Sequence, residues 1–301
     1  MMSPIISDLD KLTAHLAARG QRRRVAVVCG TDVDTLKAVA DATAGGYAHA
    51  IFVGRVAETR QAAEGLMDLS QADFVDAADD TDAARKAVAL VRNGEADVLM
   101  KGLVGSDVYL RAVLDKTAGL LPLGGVLTHV SVTEWADYGK LLLFSDAAVI
   151  PFPTPEQRRA QVGYAVERCR ALGVEEPRVA LIHCSEKASE RFPYTLDYAD
   201  IIAEGQQGRW GKVRIDGPLD LRTSCDAEAL RTKGISSPLE GQADVLIFPN
   251  IEAANTFYKT MTFIVGAVSA GVLCGTTRPV VLPSRGDDAA TKLYSLAMAL
   301  L

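Results

Sequence analysis

Short apolar runs alternate with amphipathic stretches along most of this chain. The runs are rich in Val, Ile and Leu, which is typical of strands whose two faces are both covered in a parallel sheet. The predicted strands are 25–29, 50–53, 98–100, 141–144, 179–182, 213–215, 245–248 and 280–282. The clearest helical windows between them are 33–43, 83–93, 155–172 and 287–301. This alternation predicts an α/β fold with mainly parallel sheets.

Two local patterns add detail to these elements. Thr31 and Asp34 have the spacing of a capping box at the start of the helix predicted over 33–43. Residues 260–277 carry no charge, but their Thr, Ser and Gly residues lower the hydrophobic density below that of a membrane span. We therefore expect a buried helix over 260–277, whose small residues permit close packing.

The length and one proline-rich segment indicate the domain organisation. The 301 residues are about twice the ~150 residues expected of one domain. Three prolines within residues 151–155 can continue neither a strand nor a helix. We predict a first α/β domain of residues 1–150 plus 278–301, into which a second α/β domain of residues 151–277 is inserted.

Composition and charge exclude several classes of protein. Apolar residues make up 49% of the chain and charged residues 23%, so a disordered or fibrous chain is excluded. The net charge is −6, so nucleic-acid binding would need a local basic patch. The basic run Arg22-Arg23-Arg24 is expected to be the solvated entrance of the first strand. We therefore expect no nucleic-acid partner and no membrane partner.

Cysteine usage and the N-terminus bear on the compartment. The five cysteines are widely spaced and include no C-x-x-C pair, which argues against a disulfide framework or a zinc ribbon. Such usage fits a reducing cytoplasm. Residues 1–12 lack a basic start followed by an apolar core, so we expect no signal peptide there and a cytoplasmic protein.

Candidate chemistry is sought at the carboxyl ends of the predicted strands, where parallel α/β sheets bind their ligands. The dinucleotide-binding, P-loop and nucleophile-elbow patterns are all missing, and the four histidines form no metal-ligand pattern. His183 and Cys184 follow one strand and suggest a nucleophilic pair. Adjacent residues of an extended chain point to opposite faces, however, which argues against that pair.

The segment 282–293 is the most informative of these strand ends. A strand ends there, Gly286 permits a tight turn, and a helix begins. Free N–H groups at the helix start, the Arg285 guanidinium and the Ser284 hydroxyl suit a phosphate. The alternative is ordinary capping by Asp287 or Asp288, with Arg285 as the ion-pair partner. The segment by itself leaves both interpretations open.

Several co-linear motifs together resemble one family. They are Met100-Lys101-Gly102-Leu103-Val104, Leu127-Thr128-His129-Val130, Phe144-Ser145-Asp146-Ala147-Ala148, Asp216-Gly217-Pro218-Leu219, Lys233-Gly234-Ile235, Ala243-Asp244-Val245-Leu246, Pro249-Asn250-Ile251-Glu252-Ala253-Ala254-Asn255 with Tyr258-Lys259, and Ser284-Arg285. Over residues 95–301 the chain resembles the phosphate acetyltransferase/phosphate butyryltransferase family. Lys101-Gly102, Lys233-Gly234-Ile235 and Lys292-Leu293 look closer to the butyryl branch.

This resemblance implies a fold, a reaction and partners. The fold would be two α/β domains of isocitrate-dehydrogenase-like type, with the active-site cleft between them. The reaction would be reversible: acyl-CoA plus phosphate gives acyl phosphate plus CoA, with a short acyl group, butyryl by preference. CoA would be a substrate and product, with no permanently bound cofactor and no metal. A homodimer or higher homo-oligomer would form through the second domain, with residues 260–277 against the partner.

The resemblance also implies roles for the residues of the segment 282–293. Ser284 and Arg285 would bind phosphate and stabilise the tetrahedral state. The aspartate that serves as base in the acetyl branch falls on Thr291, so that acid is missing here. Asp287 lies one helical turn earlier and is the candidate base. A helix N-terminus and Arg285 should both lower the pKa of Asp287, so simple capping is the competing interpretation.

Four further residues are candidates for substrate binding. Lys101 and Arg111 are assigned to phosphate or CoA, with solvated surface cations as the alternative. Asn255 and Lys259 are i,i+4 neighbours on a helix that also carries Glu252, so an internal salt bridge competes with a substrate-facing stripe. For the whole chain, the alternatives are phosphate acetyltransferase, a catalytically silent metabolite-sensing domain, and a metal- and NAD-dependent decarboxylating dehydrogenase of the same fold.

Overall fold

The computed structural model describes residues 5–301, so the first four residues of the N-terminal segment analysed above lie outside it. The helices are α1 Leu9–Ala18, α2 Val33–Ala44, α3 Val56–Ala63, α4 Asp80–Arg92, α5 Ser106–Val113, α6 Pro155–Ala171, α7 Tyr198–Gln206, α8 Leu221–Cys225, α9 Ala227–Lys233, α10 Ile251–Lys259 and α11 Ala289–Leu300. The strands are β1 Arg23–Val28, β2 Ala48–Gly54, β3 Ala72–Asp76, β4 Val98–Lys101, β5 Thr128–Trp135, β6 Lys140–Ser145, β7 Arg178–Ile182, β8 Arg214–Leu219, β9 Val245–Ile247, β10 Val268–Cys274 and β11 Val280–Val281.

The chain packs as two units. The first unit contains residues 9–127 and 269–301, and the second contains residues 5–8 and 128–268. The chain therefore passes between units after Asp8, Leu127 and Val268, whereas the predicted boundaries follow residues 150 and 277. The difference has a structural reason: β5 and β6 form an antiparallel pair, and β6 also pairs with β9, so this hairpin belongs with the second unit.

The first unit is a mainly parallel sheet with helices packed on it. Its strand order is β3-β2-β1-β4-β11-β10, and β10 runs antiparallel to β11. The four residues from Val25 to Val28 of β1 have no exposed surface, as expected for a central strand covered on both faces. The C-terminal helix α11 packs against α1 and α2.

The second unit has the strand order β5-β6-β9-β7-β8. The β5–β6 pair is antiparallel, and the other neighbours are parallel. Phe144 lies at the centre of its core and meets Phe248 and Phe257 edge-on, with ring centroids 6.2 and 5.1 Å away. Helix α6 begins with a capping box, in which Thr154 and Gln157 bond each other's backbone N–H groups and Pro155 occupies the first turn.

Most predicted elements are confirmed with small changes of bounds, and the sheets are mainly parallel as predicted. Strands β3 and β5 were not predicted, because β3 is polar and only partly buried and β5 mixes Thr, Ser and Glu with its apolar residues. The predicted capping residue was wrong: Asp32, not Thr31, caps α2 by accepting the Thr35 N–H. Arg23 and Arg24 begin β1 at a solvated edge, as predicted.

The buried helix predicted over 260–277 is wrong. A π-helical turn over Thr260–Val265 extends α10, and Gly266 ends it at φ +71°. The chain then enters β10, in which Ser269, Ala270, Val272 and Leu273 are buried. Phe263 and Ile264 are 86% and 75% exposed, so this turn is not a core element. No helix within residues 5–301 is long and apolar enough to traverse a bilayer.

Candidate active site

The first candidate residue, Lys101, lies where β4 ends at the carboxyl edge of the first sheet. Gly102 follows it, and a Cβ there would lie 2.5 Å from the Cys29 carbonyl oxygen and 2.7 Å from that of Val28. A glycine is therefore required, because no side chain fits against this backbone. The Gly102 N–H donates to the Val28 carbonyl at 2.9 Å, and this close approach of the two backbone segments fixes the position of Lys101.

Lys101 is a buried cation. Its side chain is among the largest fully buried ones, and its ammonium donates to the Gly102 carbonyl at 3.1 Å. Among residues 5–301, no carboxylate makes an ion pair with it. Burial lowers the pKa of Lys101, and the positive charges of Arg285 and Lys292 lower it further. A buried ammonium beside two other cations favours an anionic ligand.

A second buried lysine, Lys292, projects from α11 beside this position. Its ammonium donates to Asp32 Oδ1 at 2.6 Å and to Thr35 Oγ1 at 3.2 Å. Burial alone would raise the pKa of Asp32, but the hydrogen bonds from Lys292 and Thr35 hold it below its usual range. Asp32 Oδ2 is buried without a hydrogen-bond partner among the described atoms. The pair thus joins the start of α2 to α11.

Ser284, Arg285 and Asp287 form one turn between β11 and α11. The Asp287 carboxylate accepts the Ser284 N–H at 2.7 Å, and the Asp287 N–H donates to the Ser284 carbonyl at 3.2 Å. Ser284, Arg285 and Gly286 are exposed, and Asp287 is half-buried. The turn therefore presents a hydroxyl and a guanidinium to solvent while the aspartate closes it.

The structure separates the two capping candidates. Asp288 is the N-cap of α11, and its side chain accepts the Thr291 N–H at 2.8 Å. Asp287 bonds the turn instead. Capping by Asp288 is therefore confirmed, whereas the ion pair predicted for Arg285 is wrong, because Arg285 makes none with any residue that the structure describes.

The structure brings several of these charges into one electrostatic neighbourhood. The pKa of Lys101 is shifted by the charges of four residues, which are Arg285, Lys292, Asp32 and Asp287. Three cations and two carboxylates leave a positive excess at this edge, although the whole chain carries −6. Such a local excess attracts anions against the overall field.

Arg111 occupies a different position on the first unit. It is exposed on α5 and lines a surface pocket together with Arg85 and Val88 of α4. Asp115 lies at the same pocket. Arg111 therefore belongs to a pocket formed by α4 and α5 rather than to the turn around Ser284.

Asn255 and Lys259 lie on α10 of the second unit, a helix that begins after Pro249 as predicted and is capped by Asn250. The Asn255 amide donates to the Ala147 carbonyl at 3.0 Å. The Lys259 ammonium lies 5.1 Å from the centre of the Tyr258 ring. Within the described part of the chain Lys259 makes no ion pair, so the predicted alternative of an internal salt bridge is wrong.

Sequence reasoning missed the role of Asp146, which organises the loop after β6. Asp146 is 2% exposed, and its oxygens accept the N–H groups of Ala148, Val149 and Ile150 at 2.9 to 3.2 Å. The Thr128 hydroxyl donates to it at 2.7 Å. An acid that directly follows a buried strand was the available signal, and it lay within the Phe144-to-Ala148 motif.

Lys292 and Asp32 were also missed as functional candidates. A lone lysine in the apolar helix that ends the chain is a visible signal, because a buried charge needs a partner. The sequence does not indicate which acid supplies that partner. Within residues 5–301, no group of His, Cys, Asp or Glu is arranged to hold a metal ion.

A family model described as phosphate acetyl/butaryl transferase matches residues 79–300, which include Lys101, Ser284, Arg285, Asp287 and Lys292 but not Asp32. The chain belongs to this family. It is 38% identical over 282 residues to a phosphate butyryltransferase of Clostridium acetobutylicum, with 93% of each chain covered. It is 35% identical over 297 residues to a phosphate acetyltransferase of Rhizobium meliloti, with 98% of this chain and 93% of the relative covered.

A solved phosphotransacylase has the same fold. A branched-chain phosphotransacylase from Enterococcus faecalis V583 superposes with a TM-score of 0.80 at 28% identity, covering 92% of this chain and 98% of that chain. Membership of the phosphate acetyl/butaryl transferase family makes this protein a phosphate acyltransferase, as predicted. Acyl-CoA, phosphate and CoA fit this family as substrates and product.

Proposed function

We propose that this acyltransferase moves a four-carbon acyl group reversibly between CoA and phosphate, with Ser284 and Arg285 holding the phosphate. The observation that carries the site assignment is the Arg285 guanidinium, exposed in a closed turn and without an ion pair among the described residues. A planar guanidinium in this state is suited to bidentate contact with phosphate oxygens. The Ser284 hydroxyl is the neighbouring donor.

The buried cations complete the proposed phosphate site. Lys101 supplies a buried positive charge that pairs with no carboxylate among the described residues. Lys292 adds a second buried positive charge, which is paired with Asp32. In the forward reaction a phosphate oxygen attacks the thioester carbonyl, and negative charge develops on the carbonyl oxygen. Fixed cations and donors stabilise that charge more than they stabilise the neutral thioester, which lowers the barrier.

We assign the base of the reverse reaction to Asp287. A free thiol has a pKa near ~8.5, so attack of CoA on acyl phosphate needs a proton acceptor. The Asp287 carboxylate is fixed beside Ser284 by the Ser284 N–H, and Asp288 performs the capping of α11. This division of roles supports Asp287 as the base.

We further propose that Arg111 binds phosphate or CoA, since it is an exposed cation of the first unit outside the Ser284 turn. We also propose Asn255 and Lys259, on α10 of the second unit, as substrate-binding residues, and Lys259 is an exposed cation there. Asn255 fixes the Ala147 carbonyl next to Asp146 and thereby shapes the loop after β6. Self-association into a homo-oligomer stays a prediction of the sequence analysis.

Preference for butyryl over acetyl rests on the motifs of the butyryl branch in the sequence. The relatives support it, since identity to the named butyryltransferase of Clostridium acetobutylicum is 38% and to the named acetyltransferase of Rhizobium meliloti 35%. Phosphate acetyltransferase is the second candidate for the same site. The two differ by two methylenes, each worth about 1–3 kcal/mol of discrimination in an apolar pocket.

The test is a series of kcat/KM values for acetyl-, propionyl-, butyryl- and branched five-carbon CoA esters, measured as phosphate-dependent thiol release. We expect butyryl-CoA to exceed acetyl-CoA by about tenfold or more. A maximum at acetyl-CoA would replace the butyryl assignment by the acetyl one. Absence of phosphate-dependent release with every ester would refute the proposed function.

The same assay tests the phosphate site through Arg285→Ala. We expect the KM for phosphate to rise by about tenfold or more, since a charge-assisted contact is worth about 1.5–3 kcal/mol. Arg278→Ala is the matched control, because Arg278 is an exposed arginine of the same unit outside the turn. Equal kinetics of the two variants would remove Arg285 from the phosphate site.

A further inference from the structure

A thiol and an imidazole meet at the end of β7 in the second unit. His183 continues the pairing of β7 with β8, since its N–H donates to the Leu219 carbonyl at 2.8 Å. Cys184 follows after the strand has ended, and its Sγ lies 3.7 Å from His183 Nε2. The expectation that the two side chains point to opposite faces is therefore wrong, because the chain bends at Cys184.

The His183 imidazole is fixed in place for this contact. Its Nδ1 is hydrogen-bonded to the Tyr194 hydroxyl at 2.8 Å, and its ring meets Phe192 edge-on with centroids 4.7 Å apart. His183 is 4% exposed, and burial lowers its pKa, which keeps the ring neutral at neutral pH. In the tautomer that carries its proton on Nδ1, the ring donates to the Tyr194 hydroxyl and Nε2 presents a lone pair to the Cys184 thiol.

Cys184 differs from the other cysteines in exposure. All five lie within the described residues, and Cys184 alone is exposed. Burial raises the pKa of Cys29 to about 12 and that of Cys225 to about 11, and it raises the pKa of Cys169 as well. A thiol reacts as its thiolate, so an exposed thiol beside a fixed neutral imidazole is the reactive one.

We propose that Cys184 is a modification site that takes an acyl group from acyl-CoA, with His183 as its base. The inference rests on the proposed function only in that acyl-CoA is the acyl donor. The Cys184 proton passes to His183 Nε2 as Sγ attacks the thioester carbonyl. A new Sγ–acyl bond forms, the bond between the acyl carbon and the CoA sulfur breaks, and the departing CoA thiolate takes the proton from His183.

The exchange needs no other reactant, since one thioester replaces another. It is separate from the proposed turnover, because transfer to phosphate needs no acyl-enzyme when both substrates are held together. Acylation would replace a small polar thiol by a larger apolar group at an exposed loop. The chemical class of modifier is thus a short-chain acyl thioester, the same class as the substrate.

The test is incubation of the full chain with butyryl-CoA in the absence of phosphate, followed by mass spectrometry of its peptides. We expect one acyl group on the peptide that contains Cys184, released by hydroxylamine as a thioester is. Cys184→Ser should lose the label and keep phosphate-dependent CoA release. Cys225→Ser, the matched control with a half-buried thiol, should keep the label.

The role of His183 is tested with His183→Ala. We expect acylation of Cys184 to slow by about tenfold or more, within the range of a lost general base, and added imidazole to restore part of the rate. Restoration by imidazole separates a proton acceptor from a structural residue. Undiminished labelling of His183→Ala would overturn the assignment of His183.

Labelling and turnover fail independently. An unlabelled wild-type protein that still releases CoA with phosphate overturns the modification site and leaves the proposed function standing. A label on another cysteine also overturns it. A labelled protein without phosphate-dependent CoA release overturns the proposed function instead.

Discussion

The ion pair between Asp32 and Lys292 should carry a large share of the stability of the first unit. Lys292→Met removes the ammonium and keeps most of the side-chain volume, which leaves Asp32 without its ion-pair partner. The side chains of Lys292 and Asp32 are 5% and 21% exposed. Removing one partner of a buried pair costs about 3–5 kcal/mol. Asp32 keeps the Thr35 N–H at 2.9 Å, so we expect about 3 kcal/mol.

A double-mutant cycle isolates the pair. Asp32→Asn leaves the buried ammonium uncompensated, while asparagine still caps α2. The double variant Asp32→Asn/Lys292→Met has no buried charge at this position, so its loss should be smaller than the sum of the single losses by about 2 kcal/mol. Lys37→Met, at an exposed lysine of α2, is the control and should stay within about 0.5 kcal/mol of the wild type.

The assay is urea unfolding at pH 7 followed by far-UV circular dichroism. Fluorescence is unsuitable, because both tryptophans, Trp135 and Trp210, lie in the second unit.

The ion pair between Asp32 and Lys292 also predicts a pH dependence of stability. The pKa of Asp32 lies below 3.8 in the folded protein, so the stability it contributes is present above that value and is lost as the pH falls towards the lower, folded pKa. The difference between the wild type and Lys292→Met should therefore narrow below about pH 4. A coupling free energy near zero would refute this account.

Two further predictions concern backbone positions around the strand ends. Gly102→Ala should lower the free energy of unfolding by more than about 2 kcal/mol, because its Cβ would lie 2.5 Å from the Cys29 carbonyl oxygen. The control is Gly286→Ala, whose added Cβ would meet no atom within 4 Å, so its thermal midpoint should be unchanged. Asp146→Asn should cost about 2–3 kcal/mol, because an amide –NH₂ would face donors that now bond a carboxylate oxygen; a thermal midpoint equal to that of the wild type would contradict this assignment.

Much of the fold was predictable because burial in a parallel sheet leaves a local signal. Strand β1 is a run of apolar residues that the central position of the strand requires, and α6 begins with a proline and a capping threonine that are readable in sequence. The helix predicted over 260–277 was wrong because that stretch carries no decisive local signal. Uncharged, glycine-containing sequence is compatible with a helix or a strand, and its pairing with β11 decides for the strand in β10.

The candidate site was predictable in part. The Ser284–Arg285 turn and Lys101 follow apolar strands, and strand ends in a parallel sheet share one edge. The choice between Asp287 and Asp288 as the capping residue was not readable, since both stand one position apart at a helix start. That choice depends on the backbone angles of the turn, which give the Thr291 N–H to Asp288 and the Ser284 N–H to Asp287.

The sequence by itself determined the α/β class, the order of most strands and helices, and the family motifs from Lys101 to Arg285. These properties are local, because each depends on hydrophobic periodicity or on a few adjacent residues. The tertiary structure decided which charges are buried and which groups meet. Lys292 and Asp32 are 260 residues apart in sequence, and they bond because α11 returns to pack on α2. The strand order that brings β4 and β11 together is likewise a property of the whole chain, since pairing depends on long-range packing that no local pattern contains.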